Sequence, residues 1–330
     1  YVDQTVTVTI NGTNDVPVAT TTTALLGSVT EAGNLDDGTA VAGTATTGGT
    51  LTSTDVDADA TKTWSIEGDN SATYGTFTLN ASTGVWSYVL DNTKDATKAL
   101  KENETVTETY KVRVTDDFGA YAEQTVTVTI NGTNDVPVVT NLAAAKAGSV
   151  TEAGNLDGGA VVAGTATATG TLGASDTDTG ATQTWSVRGT PSTTYGTFAV
   201  NASTGVWTYT LDNSLAATQA LKEGETVTET YTVRVTDDFG AYVDQTVTIT
   251  INGTNDVPVA TTTTALLGSV TEAGNLDDGT AVAGTATTGG TLTSTDVDAD
   301  ATKTWSIEGD NSATYGTFAV NASTGVWTYT

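Results

Sequence analysis

The side chains able to do chemistry here are almost all carboxylates. The 330 residues carry 39 Asp and Glu against 11 Lys and Arg, a formal net charge of -28, with no His, Cys or Met. Without His and Cys there is no Ser-His-Asp or Cys-His catalysis and no ordinary zinc site. Disulfides are excluded for the same reason. Nucleic-acid binding through a basic surface is excluded too, because neutralising phosphates needs Lys and Arg. What remains is a set of Asp, Glu and Asn oxygens. These are the donors a hard cation takes, and calcium wants roughly six to eight of them.

The acids recur with a period of the chain itself. The string NGTNDVPV stands at residues 11–18, 131–138 and 252–259, spacings of 120 and 121. TEAGNLD begins at Thr30, Thr151 and Thr271, so the extra residue lies between Pro137 and Glu152. Residues 16–89 and 257–330 differ at four places only, the positions of Thr78, Leu79, Ser87 and Val89. A period this long exceeds that of solenoid repeats, so each copy should be a domain with its own core. We divide the chain into residues 1–15, the C-terminal strand of a preceding copy; 16–135, the first repeat; 136–256, the second; and 257–330, a third cut short. The chain opens at Tyr1 and stops in a strand-like stretch, which reads as a window from something longer. The first repeat holds 17 acids and 6 bases, a net of -11; the second holds 12 and 4, a net of -8. The acids common to both include those at Glu31, Asp36, Asp55, Asp57, Asp91, Glu102, Glu104, Glu108, Asp116, Asp117 and Asp135. They fall mainly in turns and linkers, where ligands can converge.

Strands must position them. Val126, Val128 and Ile130 alternate with Thr125, Thr127 and Thr129. Tyr110, Val112 and Val114 alternate with Lys111 and Arg113, and Trp86, Tyr88 and Leu90 form a third apolar face. Gly- and Asp-rich turns separate such runs every 8–12 residues or so, the pattern of a β-sandwich. The only helix-like stretch is short, 93–100, with its counterpart at 214–221. No run of 18 apolar residues exists, so no helix of this segment spans a membrane. Trp64, Trp86 and Tyr88 recur in register and read as core rather than sugar-stacking rings. The Thr-x-Thr steps lack the short period of an ice-binding solenoid. Asp116-Asp117 reads as a turn, and Asp36 and Asp37 as a solvated loop. Glu108 shares the inward parity of Tyr110, so either a bulge resets the register or the carboxylate lies near a strand end. The N-x-S/T sequons at Asn11, Asn80 and Asn103 are products of a Thr-rich chain.

The residues also resemble a family. Asp55-Val-Asp57, TWSIEGDN from Thr63 and FTLNASTGVW from Phe77 are similar to the cadherin DxD pair, YSI-like strand and F-x-I-D-x-x-TG. The run continues through residues 100–120 to NGTNDVPV, which looks like the cadherin linker DxNDNxP. The GTND-x-PV ending and ETVTETY-x-V-x-VTD most resemble VCBS, the bacterial cadherin-like tandem repeat of large RTX-type surface adhesins. The resemblance implies tandem cadherin- or immunoglobulin-like β-sandwich domains with Ca2+ at the inter-repeat junctions. For the first full junction the implied ligands are Glu31, Glu102, Glu104, Asn134, Asp135, Asp176 and Asp178. For the next they are Glu152, Glu223, Glu225, Asn255, Asp256, Asp296 and Asp298. At the start of the chain, Asn14 and Asp15 would meet Asp55 and Asp57. Leu90-Asp91-Asn92 competes with Glu102-x-Glu104 for the cadherin LDRE match. Where the cadherin linker begins with Asp, this chain has Gly12, Gly132 and Gly253.

The implied role is a non-enzymatic, calcium-stiffened extender of a bacterial cell-surface adhesin, supporting adhesion and biofilm formation. Its partners are calcium ions, neighbouring repeats and other copies of itself, not nucleic acid. The rival is lateral self-assembly into an extracellular filament, sheath or surface layer. A carbohydrate- or protein-binding module and a glycosidase built on paired carboxylates are weaker alternatives.

Overall fold

β-branched residues pack well on a pleated, half-buried surface, and the Thr/Val alternation builds long strands here. The computed structural model describes residues 1–310 and 312–330. In the first repeat the strands Thr105–Asp116 and Tyr121–Asn131 form an antiparallel hairpin, paired from Thr105↔Asn131 to Thr115↔Tyr121 without interruption. Lys62–Glu67 pairs antiparallel with the first of these, placing Trp64 opposite Val114. Leu26–Thr30 runs parallel to the second, with Val29 opposite Ile130. Together they make one four-stranded sheet. The other layer is the antiparallel sheet of Thr46–Thr50, Val85–Leu90 and Gly75–Leu79. The fold is all-β apart from short helical turns, of which Asp95–Lys98 is one.

The inward face of each strand fills one core. Val29, Leu51, Trp64, Phe77, Trp86, Tyr88, Leu90, Tyr110, Val112, Val114, Val126, Val128 and Ile130 are all buried in it. Phe77 stacks on Tyr110 with centroids 4.1 Å apart and on Trp86 at 5.6 Å. Trp86 Nε1 donates to the Ala24 carbonyl at 2.8 Å. Buried Trp64 and Trp86 are therefore structural and offer no face for a sugar.

The unbroken register answers the parity of Glu108: no bulge resets it. The carboxylate points inward near the strand's beginning and accepts hydrogen bonds from Tyr88 Oη (2.7 Å), Tyr110 Oη (2.8 Å) and the Thr73 and Tyr74 amides (2.6 and 3.1 Å). Both tyrosine pKa values are raised, by burial first and then by this carboxylate.

The chain divides into two compact units. One comprises Tyr1–Asn141, Gly173–Ser186 and Arg234–Asp244, and the other Leu142–Leu172, Val187–Val233 and Gln245–Thr330. The first contains the sandwich just described. In the second, Ala147–Thr151 pairs parallel with residues 248–252, and Thr167–Thr171, Val206–Leu211 and Gly196–Val200 form a three-stranded sheet. Phe198 stacks on Tyr231 and Trp207, and Glu229 takes the place of Glu108 between Tyr209 and Tyr231. Thr288–Thr291, Val326–Tyr329 and Gly316–Val320 repeat that sheet again. Residues 1–10 repeat the sequence 121–130 except at Val2 and Asp3, yet take no strand pairing, and Val6, Val8 and Ile10 are exposed.

Candidate cation sites at the repeat junctions

The strand Leu26–Thr30 ends by handing its backbone to the linker. Glu31 N donates to Asn131 O (2.9 Å), Thr133 Oγ1 donates to Glu31 O (3.0 Å), and Asn34 N donates to Asn134 O (2.6 Å). This lays residues 131–134 beside Glu31, and fixes the Glu31 side chain in the interior at 1% exposure. Its Oε2 accepts the Thr133 amide at 3.4 Å, while Oε1 is buried with no partner.

The D-x-D pair comes to the same place. Asp178 N donates to Asp176 Oδ1 (3.1 Å), a tight local turn that fixes both carboxylates. Asp135 N then donates to Asp178 Oδ2 (2.9 Å), and Thr177 Oγ1 donates to Asp135 Oδ2 (3.0 Å). Asn134, 1% exposed, donates through Nδ2 to Asp237 Oδ2 at 3.0 Å. Its own Oδ1 is buried and unpartnered, as are Asp176 Oδ2 and Asp178 Oδ1.

Unpaired buried oxygens are costly, and charged ones more so. The electrostatics say the same. Burial, opposed by the Thr133 amide and reinforced by Asp135 and Asp178, pushes Glu31 up to about 8. Burial together with the charges of Asp176, Asp135 and Asp237 takes Asp178 up to about 7. Asp135 and Asp176 are raised as well, again chiefly by burial.

The second junction repeats this construction. Glu152 is fully buried; its Oε2 accepts the Thr254 amide at 3.4 Å, and its Oε1 accepts Gln219 Nε2 at 3.2 Å. Asp256 N donates to Asp298 Oδ2 (2.8 Å), and Asp298 N to Asp296 Oδ1 (3.1 Å). Asp256 Oδ2 and Asp298 Oδ1 have no partner. Asn255, Asp256, Asp296, Asp298 and Asp300 line a cavity of about 410 Å³ there, and Lys222 and Lys303 stand in the same wall. Burial raises Glu152 to about 7, with Asp256 and Asp298 adding to it. At the start of the chain Asp15 N donates to Asp57 Oδ2 (2.8 Å), Asp57 N to Asp55 Oδ1 (3.1 Å), and Asp55 Oδ2 is orphaned.

These oxygens fit a hard cation. Every donor is a carboxylate or amide oxygen, and a cation would satisfy the acceptors that the fold leaves bare. Among the described residues no group of three or more acidic side chains is arranged to hold a metal on its own. Amide and backbone oxygens must therefore complete any shell, and the orphaned Asn134 Oδ1 is one such donor.

Glu102, Glu104, Glu223 and Glu225 are tied to the linkers differently. Gly132 N donates to Glu104 O, and Gly253 N to Glu225 O, both at 2.9 Å. The Glu102 side chain is engaged locally, its Oε1 accepting Asn103 Nδ2 at 3.4 Å. Of the competing Leu90-Asp91-Asn92 match, Asn92 Oδ1 reaches the site's edge and accepts the Ala32 amide at 3.0 Å. Asp91 is engaged locally by Thr93.

Asp116 goes beyond the turn role expected of it, as does its counterpart in the second copy, Asp237. Asp237 Oδ1 does hold its turn, accepting the amides of Phe239, Gly240 and Ala241. Its Oδ2 takes the Asn134 amide, as Asp116 Oδ2 takes that of Asn14 at 3.0 Å. The signal was available: Asp116 has the inward parity of Tyr110, Val112 and Val114. The glycine that replaces a linker Asp has a steric cause. A Cβ at Gly132 would strike the carbonyl oxygens of Lys101 and Leu100, the latter at 2.5 Å.

The sequence profile of a family described as bacterial cadherin-like domain matches residues 14–132 and 134–253. No curated protein matches the chain. Among solved structures the chain is similar to the protocadherin GammaB4 extracellular domain, at 17% identity over 97% of this chain and 45% of that one, TM-score 0.46. It is also similar to mouse cadherin-23 EC22-24, at 16% identity over 96% of this chain and 88% of that one, TM-score 0.45. The chain thus spans less than half the length of the first of these.

Proposed function

Because the chain belongs to the bacterial cadherin-like domain family, we propose that it is an extender: tandem repeats stiffened by calcium at their junctions and carrying no enzymatic activity. Its repeats are residues 16–135, 136–256 and 257–330, with 1–15 the end of a preceding one. Its place is the outside of a bacterial cell, in a VCBS-type surface adhesin serving adhesion and biofilm formation. The observation that carries this reading is the buried, unpartnered set of Glu31 Oε1, Asn134 Oδ1, Asp176 Oδ2 and Asp178 Oδ1, donated by a strand end, a linker and the next repeat's turn.

Glu31, Asn134, Asp135, Asp176 and Asp178 would hold the ion at one junction, with Asp237 bracing Asn134. Glu152, Asn255, Asp256, Asp296 and Asp298 would do so at the next, and Asn14, Asp15, Asp55 and Asp57 at the start. Glu102, Glu104, Glu223 and Glu225 stand on the adjoining loops and supply negative field. Bound calcium supplies positive charge to carboxylates that otherwise repel one another. The chain's own part is to fix those oxygens on backbone already hydrogen-bonded into the fold, so that filling the site immobilises the linker. Clustered acids that fold fully only with metal also suit a chain exported before folding.

Small-angle scattering of residues 16–256, in calcium and then in chelator, tests this. A defined maximum dimension in calcium that gives way to a flexible profile in chelator supports the extender. Identical profiles refute calcium stiffening. Concentration-dependent growth in light scattering would instead favour lateral assembly into a filament or surface layer.

A further inference from the structure

Asparagine followed by glycine readily loses its side-chain amide, because glycine leaves its own N–H unshielded and lets the chain fold back on itself. This chain carries the pair three times in the identical setting TINGTNDVPV, at Asn11-Gly12, Asn131-Gly132 and Asn252-Gly253. The fold holds the three copies in two different states.

At Asn131 both reacting groups are occupied. Its Nδ2 donates to Ser28 Oγ (3.0 Å) and to the Val29 carbonyl (2.9 Å), while the Gly132 amide donates to Glu104 O (2.9 Å). At Asn252 the same bonds run to Ser149 Oγ (3.0 Å) and Val150 O (2.8 Å), and from Gly253 N to Glu225 O (2.9 Å). In each case the side-chain acceptors lie on the first strand of the sheet, Leu26–Thr30 or Ala147–Thr151. Asn131 also closes two ladders at once, standing opposite Thr105 on one side and Thr30 on the other. Asn11 has none of this. It is exposed and outside any strand, and a Cβ on Gly12 would meet nothing within 4 Å.

We propose that Asn131 and Asn252 are deamidation sites kept shut by the first strand of their repeat, so that a repeat which opens is permanently marked. In an opened repeat the Gly132 nitrogen gives its proton to hydroxide and attacks Asn131 Cγ. The Cγ–Nδ2 bond breaks, ammonia leaves with a proton taken from water, and a succinimide is closed. Water then opens either of its carbonyls, giving aspartate or its isoaspartyl isomer, so the only reactants are the chain and water. Either product unlatches the strand. A carboxylate oxygen faces Val29 O where an N–H donor stood, and isoaspartate adds a methylene to the backbone at the closing pair of both ladders. The marking stands apart from the calcium reading and needs no metal.

The test is peptide mapping by mass spectrometry of the whole 330-residue chain, aged in mildly alkaline buffer with and without urea. Trypsin places the three sites in separate peptides, residues 1–62, 114–146 and 235–303. In buffer Asn11 should convert, with Asn131 and Asn252 slower by at least about tenfold, since they react only through local opening. In urea the three rates should converge, because the sequence around them is the same. Rates at Asn131 and Asn252 that match Asn11 in buffer would overturn the gate, and failure of either to convert in urea would overturn the site itself. Val29→Ala, which loosens the first strand from the core, should speed Asn131 several-fold and leave Asn252 unchanged; an unaltered Asn131 would refute the role given to that strand. Asn131→Asp, which imitates the product, should lower the melting point by several degrees at neutral pH. A melting point equal to the parent's would refute the unlatching.

Discussion

Replacing Glu31 by Gln should change the sign of its effect on stability when calcium is added. Glutamate in the unfolded chain titrates near 4.5, whereas burial and the charges of Asp135 and Asp178 raise Glu31 in the fold to about 8. The folded state binds this proton more tightly. Its contribution to stability is complete below about pH 4.5 and is lost as pH climbs through about 8. At about 1.36 kcal/mol per pH unit between the two values, the loss has a ceiling of about 5 kcal/mol. Relaxation of neighbouring dipoles and water leaves about 2–3 kcal/mol of it. Gln keeps the shape and the acceptor facing Thr133 without the charge. In chelator at pH 8.5, Glu31→Gln should therefore melt about 8–12 °C above the parent for a domain of this size. At pH 5 the two should nearly coincide. In saturating calcium the order reverses, since the variant has given up a ligand. Differential scanning calorimetry across these three conditions reads all of it. A variant that melts below the parent by the same margin with and without calcium would refute the reasoning, and would make Glu31 an ordinary structural residue.

Other perturbations probe the scaffold. Glu108→Ala strands the hydroxyls of Tyr88 and Tyr110 in the core and should cost about 2–5 kcal/mol; urea unfolding of the first repeat within 1 kcal/mol or so of the parent would contradict the network. Gly132→Asp should destabilise the repeat and add no calcium site, because the new Cβ meets two carbonyl oxygens; an extra equivalent of bound calcium would show that the linker can yield. Asp59→Gly relieves a left-handed aspartate (φ 58°) and should stabilise by about 0.5–1 kcal/mol; a lower melting point would mean that the carboxylate anchors its loop.

Much of this molecule could be read from its letters because two alternations agree. Val126, Val128 and Ile130 against Thr125, Thr127 and Thr129 define a strand with one wet face, and Tyr110, Val112 and Val114 define its neighbour. The sandwich follows from pairing them. The linker and the D-x-D turn were legible because they repeat with the acids in place. What escaped was the origin of the other residues gathered around the candidate sites, since convergence in space depends on loop paths that no periodicity records. Asp116 reads as a turn residue because one of its oxygens does that work; only the fold reveals the other oxygen on Asn14, as in its counterpart Asp237 on Asn134. Of the two competing segments it is Asn92 whose side chain accepts the Ala32 amide, and no pattern in the sequence marks it. Glycines at 132 and 253 looked like lost carboxylates, when the close approach of Leu100 and Leu221 carbonyls leaves no space for a side chain.

The parallel pairing of Leu26–Thr30 with Tyr121–Asn131 carries a mechanical consequence. The chain enters the sheet along one of these strands and leaves along the other, side by side and in the same direction. Tension applied at the two ends of a repeat drags these neighbours past each other lengthwise. Their hydrogen bonds, from Leu26↔Thr127 to Thr30↔Asn131, are then loaded simultaneously and not peeled one at a time. Rupture demands that the whole ladder fail at once, with Val29 and Ile130 torn from the core in the same step. A ladder loaded in shear should resist extension better than one that is peeled, and weakening the first strand should remove that resistance.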